Sequence, residues 1–220
     1  MVRSRRILCT VLLVALSSRL SAAAGTIESI GAFDDPQASA SLRSILEKSG
    51  YRVRLPDGSV QCDIWFRSDA AISPKPIAEG AIYRFSESEL IGVIRFPKPA
   101  ADFRNQQIQA GSYTMRYEVS PNDGNHLGVS ATRDFVLLIP IAADKDPHAA
   151  YKLDELVSLS SKASGTSHAA PMALGSAGEN SPLSLTKNSE GFYVFSLRLK
   201  IERGEPIPFA IIVEGSSPQS

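Results

Sequence analysis

Hydrophobic and polar positions alternate along most of the chain after residue 25, in short runs separated by turn-forming residues. The clearest run is Ser112–Val119. Tyr113, Met115, Tyr117 and Val119 fall on one side of it, and Thr114, Arg116 and Glu118 on the other. A period of two marks a half-buried strand, one face in a core and one outside it. Phe135–Ile139 is apolar without interruption, which predicts a strand covered on both faces. Between the two, Ser120–Arg133 carries Pro121, Asn122, Asp123, Gly124, Asn125 and Gly128, all formers of turns.

The same pattern predicts strands over Thr26–Ala32, Tyr51–Leu55, Val60–Arg67, Ala81–Phe85, Leu90–Phe96, Leu183–Lys187, Phe192–Ile201 and Ile207–Val213. Tyr51–Leu55 and Val60–Arg67 read as a hairpin about Pro56-Asp57-Gly58. In its second strand Val60, Cys62, Ile64 and Phe66 share a face. Trp65 lies on the other, where it is expected to pack under a helix. A period near 3.6 predicts two helices. One spans Pro36–Lys48 behind Asp35, with Leu42, Ile45 and Leu46 on one side. The other spans Ala149–Ser161 behind Asp146-Pro147, with Leu153, Leu156 and Val157 together. Ala163–Glu179, rich in Ala, Ser and Gly, reads as a flexible connection. Many short strands with turns between them predict a mainly β fold: an antiparallel, immunoglobulin-like β-sandwich decorated by two short helices.

The first residues do not belong to that pattern. Arg3, Arg5 and Arg6 precede the apolar run Ile7–Leu16, which is too short to span a bilayer, and Ala22-Ala23-Ala24 supplies small residues before Gly25. Residues 1–24 are therefore expected to be a secretory signal, and residues 25–220 a single periplasmic or secreted domain. Ser4-Arg5-Arg6 is also compatible with twin-arginine export. Loss of residues 1–24 removes Arg3, Arg5, Arg6 and Arg19 and no acid, leaving 19 basic and 23 acidic residues, a net charge of −4. A nucleic-acid partner is not expected, since it requires a concentrated basic face. No later stretch is long and apolar enough to span a membrane. Cys9 leaves with the signal, so Cys62 stands alone, is expected to be buried, and has no intramolecular disulfide partner.

Three sets of residues carry candidate chemistry. His126, His148 and His168 fall in expected loops, near Asp123, Asp144 and Asp146. Seven strand residues at ~3.3 Å put about 23 Å between His126 and His148. A thirteen-residue helix at ~1.5 Å per residue, lying antiparallel to the strand, would carry the chain about 20 Å back. That would bring His168 to His126 and make Asp123, His126 and His168 the most economical metal site. The acidic pairs Asp34/Asp35 and Asp144/Asp146 precede helices and are expected to cap them. Gly165-Thr166-Ser167-His168-Ala169-Ala170-Pro171 resembles the nucleophile segment of subtilisin-type serine proteases, which would make Ser167 a nucleophile. The aspartate and histidine motifs of that family do not precede it.

The segment Ala110-Gly111-Ser112-Tyr113-Thr114-Met115-Arg116-Tyr117-Glu118-Val119, with Asp123-Gly124-Asn125-His126 after it, resembles part of the periplasmic copper-resistance sandwich family over about 30 residues. There a similar strand precedes Asp-Gly-His, and the histidine binds copper; here Asn125 stands before His126. The whole chain is similar to a group of exported bacterial β-sandwich proteins of unknown function. The expected function is that of a non-enzymatic binding or accessory protein of the cell envelope, its ligand or protein partner unspecified, with no cofactor. The alternatives are a copper-binding periplasmic protein and a serine hydrolase.

Overall fold

The computed structural model describes residues 24–120, 132–179 and 181–215. All but the last residue of the expected signal segment therefore lies outside the description. The first half of the chain forms β1 (Thr26–Ile30), α1 (Ala40–Ile45), β2 (Gly50–Arg54), β3 (Val60–Phe66) and β4 (Leu90–Phe96). A two-residue pair, β5 (Ala100–Ala101) and β6 (Gln107–Ile108), then precedes the long strands β7 (Gly111–Val119) and β8 (Asp134–Pro140). The second half forms α2 (Leu153–Ser164), β9 (Pro171–Gly175), β10 (Ser184–Lys187), β11 (Tyr193–Leu199) and β12 (Ile207–Glu214).

Mainly β structure and antiparallel pairing are as the alternation predicted. The ladder, however, joins ten strands into one sheet, in the order β1-β2-β3-β4-β7-β8-β9-β12-β11-β10. Apart from the two-residue pair β5-β6, the described strands are joined in this one sheet, and the two facing sheets of a sandwich are not resolved among the described residues. The sheet instead curls until its edge strands β1 and β10 touch, with Gly25 against Leu185, and it nearly closes into a barrel. Register shifts at Val53/Arg54, Leu90/Gly92 and Tyr193/Val194 accompany the curl, as bulges increase local twist. Gly92 belongs to one of these. Its α-carbon lies so close to the Trp65 carbonyl and the Phe66 backbone that a side chain would overlap them.

The inner face is one core. Cys62, Ile64 and Phe66 of β3 and Tyr113, Met115 and Tyr117 of β7 meet Phe195, Leu197, Phe209 and Ile211 from β11 and β12. Phe66 stacks on Phe195 at 6.0 Å, and the Phe209 ring lies 5.6 Å from Phe66 and 5.2 Å from Tyr83. Cys62 sits in this core as the register predicted, and burial raises its thiol pKa far above the ordinary range. Thiol reagents are expected to leave it unlabelled in the native protein and to label it fully in denaturant. Rapid native labelling would contradict the register, since a one-residue slip turns the strand over.

Both helices cover the outer face, with shifted limits. α1 is only six residues long, because Ser39 and not Asp35 is its cap, accepting from the Leu42 N–H at 3.1 Å. Asp35 closes the preceding turn by accepting from Gln37 N–H at 2.9 Å. Under α1, Trp65 packs with Phe33, Leu42 and Leu46, as expected, and its Nε1 donates to the Gly31 carbonyl at 2.8 Å. α2 begins at Leu153, after a turn closed by Asp146, and Glu155 reaches back to accept from the Lys152 N–H. Its buried stripe is Leu156, Ser160, Ala163 and Ser164; Leu153 and Val157 are exposed. Small residues in that stripe let α2 lie close on β8, where Leu156 meets Phe135, Leu137 and Ile139.

Two further expectations are corrected. Ala163–Glu179 holds a strand, β9, wedged between β8 and β12. Pro171 starts it, where no ladder donor is needed, and Met172 and Leu174 point into the core. Ala81–Phe85 is not a strand. The N–H groups of Ile82 and Tyr83 are taken by the Asp134 carboxylate, at 2.7 and 2.9 Å, instead of a neighbouring backbone. Among the described residues, no helix is long and apolar enough to cross a membrane.

Candidate functional site

Of the nominated metal ligands, Asp123 and His126 lie outside the described residues. His168 is exposed, in the turn after α2. The chain reverses before α2, not along it. Arg116 of β7 donates to the carbonyls of Asp146 and Ala149, and Tyr151 N–H reaches Ser88, so α2 starts beside the end of β7. It finishes near the start of β7, where Gln109 N–H donates to the Ala163 carbonyl. α2 therefore runs in the same direction as β8. It delivers His168 to the end of the sheet where β8 finishes. No group of three or more His, Cys, Asp or Glu among the described residues is placed to hold a metal. His148 is exposed, its N–H donating to Asp146 Oδ1 at 2.9 Å.

Ser167 is also exposed. Its neighbours spend their hydroxyls on the turn: Ser164 Oγ donates to the His168 carbonyl, and Thr166 accepts from the His168 N–H. Among the described residues no histidine bonds to Ser167, and a serine nucleophile needs such a base.

The outer face of β7, expected to be partly wetted, is buried by the 141–152 segment. Thr114, Arg116 and Glu118 are all inaccessible. Asp144, expected to cap a helix, forms a bidentate pair with Arg116, both bonds 2.8 Å, and accepts from Thr114 Oγ1 at 2.6 Å. Arg116 also donates to the carbonyls of Ser88, Asp146 and Ala149, so all five of its N–H groups are engaged. This is a structural lock: it has no capacity left for a ligand.

Glu118 lacks such a partner. Among the described residues, its contact from a donor outside β7 is one N–H, from Ser88 at 3.2 Å. Burial, and then the nearby Glu87, push its carboxyl up to about 7. Between the ordinary carboxylate value and about 7, the folded chain holds a proton that the unfolded chain has released. Stability conferred by Glu118 is thus greatest at low pH and is lost as pH rises through 7. Glu118→Gln is expected to stabilise the protein at about pH 8, by at most ~1.4 kcal/mol per unit of displacement, and the gain is expected to vanish near pH 4.5. Urea denaturation across that range checks it.

Arg95 has uncommitted capacity. It is the single charge in the apolar strand β4, and its side chain crosses the outer face of the sheet. Its guanidinium lies 5.2 Å from the ring of Phe33 and 5.2 Å from that of Trp65. Nε donates to Ser112 Oγ at 3.1 Å, and Nη2 to the Asp34 carbonyl at 2.7 Å. Nη1 has no hydrogen-bond partner among the described residues. Beside it opens a cavity of about 510 Å³, walled by Gln37, Ser112, Tyr113 and Pro140. Asp35 shares the rim, 3.8 Å from Nη2. A guanidinium held by two rings and two hydrogen bonds lines this cavity with Nη1 uncommitted, a donor chemistry that suits an oxyanion. Sequence reasoning passed over Arg95, although a lone arginine within Leu-Ile-Gly-Val-Ile-Arg-Phe was a signal. No protein-family model, no curated protein and no solved structure matches this chain.

Proposed function

We propose that this is an exported, non-enzymatic binding protein of the cell envelope, which takes a small anionic ligand in the Arg95 cleft. The observation that carries this reading is a guanidinium with an uncommitted Nη1 in the wall of a cavity large enough for a small molecule. The buried Arg116 and Asp144 are spent on the fold, whereas Arg95 retains an unused donor group. Export rests on the signal expected over residues 1–24. The curled sheet serves the role expected of an immunoglobulin-like sandwich, a rigid body that presents its ends and its outer face.

A thermal-shift panel of small carboxylates and phosphates tests the proposal. At one hundred times its Kd a ligand adds about 2.7 kcal/mol, which raises Tm by about 5–10 °C in a chain of this size. At least one anion is expected to do this for the wild type and not for Arg95→Met, whose unbranched side chain preserves the packing against Phe33 and Trp65. Equal shifts in both proteins, or none in either, would refute it. Copper titration and a fluorophosphonate probe serve as controls, each expected to give no specific signal.

A further inference from the structure

A second cavity, of about 360 Å³, has the opposite character. Its walls are Ile72, Ile82, Ile201, Ile207 and Pro208, with Ala177 at one side. Hydrogen bonds fix these walls. Ile72 bridges to Phe85, Ser73 N–H donates to the Arg84 carbonyl, and Ala70 bridges to Ile201. Tyr83 also lines the cavity, but its hydroxyl is consumed, donating to the Gly175 carbonyl at 2.7 Å and accepting from Ala210 N–H at 2.8 Å. What Tyr83 offers a ligand is its ring, backed by Phe85 and Phe209.

One charge stands among these walls. Arg84 is exposed, and its Nε donates to the Ser73 carbonyl at 2.9 Å. Neither of its terminal amino groups bonds to a described residue. The cavity thus joins apolar walls to a tethered cation with free donors. Its volume lies within the range of small-molecule sites, about 300–1,000 Å³. A neutral apolar ligand would leave the guanidinium unused, and a small hydrophilic anion would leave the walls unused.

We infer that this cavity binds a single-tailed amphipathic anion, its acyl chain between the isoleucines and its head group on Arg84. The charge complementarity selects the anionic head, and the apolar walls select the tail. The site is separate from the Arg95 cleft and does not depend on that cleft being occupied. A free fatty carboxylate and a lysophospholipid phosphate share the required chemistry.

Calorimetric titration of the mature protein with hexanoate, octanoate and decanoate tests the inference. Affinity is expected to rise roughly fourfold per added methylene until the cavity is full. Arg84→Gln is expected to weaken decanoate at least tenfold and to leave decanol unchanged. Ala177→Phe, which fills the cavity from a half-exposed wall, is expected to abolish both while the protein stays folded by circular dichroism. A decanoyl lysophosphatidate arm separates the two sources: tighter binding than decanoate assigns the phosphate head, weaker binding the carboxylate. An absence of binding by either acid, an affinity independent of chain length, or unchanged binding in both variants would overturn the inference.

Discussion

Arg116→Met is expected to destabilise the protein by about 3–5 kcal/mol, because it strands the Asp144 carboxylate in a closed interior. The pair is 1% exposed on each side, so water cannot replace the lost partner. The substitution also removes the donors that hold the Asp146 and Ala149 carbonyls, which tie the 141–152 segment to β7, and the Ser88 carbonyl from the turn before β4. Asp144→Leu alone should be similarly damaging, leaving a buried guanidinium half-satisfied. The double variant Arg116→Met with Asp144→Leu should recover much of the loss, since it removes both charges together. Urea midpoints for the four proteins measure the coupling. Additive losses would mean that the two residues do not act as a pair.

Phe209→Ala is expected to cost about 3–5 kcal/mol as well, for a different reason. Phe209 is fully buried in β12, and its ring touches those of Phe66 on β3 and of Tyr83 and Phe85 in the connection ahead of β4. Its removal opens a void where the two halves of the curled sheet face one another. A single cooperative transition at lower urea is the expected result. A loss below about 1 kcal/mol, or two separated transitions, would show that the halves do not share a core.

The strands were legible wherever one face is apolar and the other polar, because that contrast is local. Ser112–Val119 needed nothing beyond its own residues, and Ile207–Val213 was legible instead as a short uninterrupted apolar run. β9 was not legible. Pro171-Met172-Ala173-Leu174-Gly175 is short and follows small residues, and its strand state comes from β8 and β12 on either side. Ala81–Phe85 failed in the opposite way: it has strand-forming residues, but a carboxylate from a residue about fifty positions later takes two of its amide donors. The polar face of Ser112–Val119 read as wetted because nothing local announces that Asp144 will return to cover Arg116.

The same division holds for the sites. Turn-forming composition drew notice to Asp123, His126 and His168, the first two of which lie outside the described residues. The Arg95 cleft depends on contacts from Phe33, Trp65 and Ser112, on three separate elements or loops, and no spacing rule links them. The visible trace was a charge inside an apolar strand, which signals either a paired or a functional side chain. Arg116 and Arg95 are the two arginines of adjacent strands, β7 and β4. One is saturated, and the other keeps a free edge.

Native mass spectrometry tests the proposed function most directly, using protein purified from its native source without denaturation. Occupancy of the Arg95 cleft predicts a species heavier than the polypeptide by one small acidic molecule, and its loss in Arg95→Met. The bare polypeptide mass alone in the wild type, or the same bound molecule in both proteins, would contradict it.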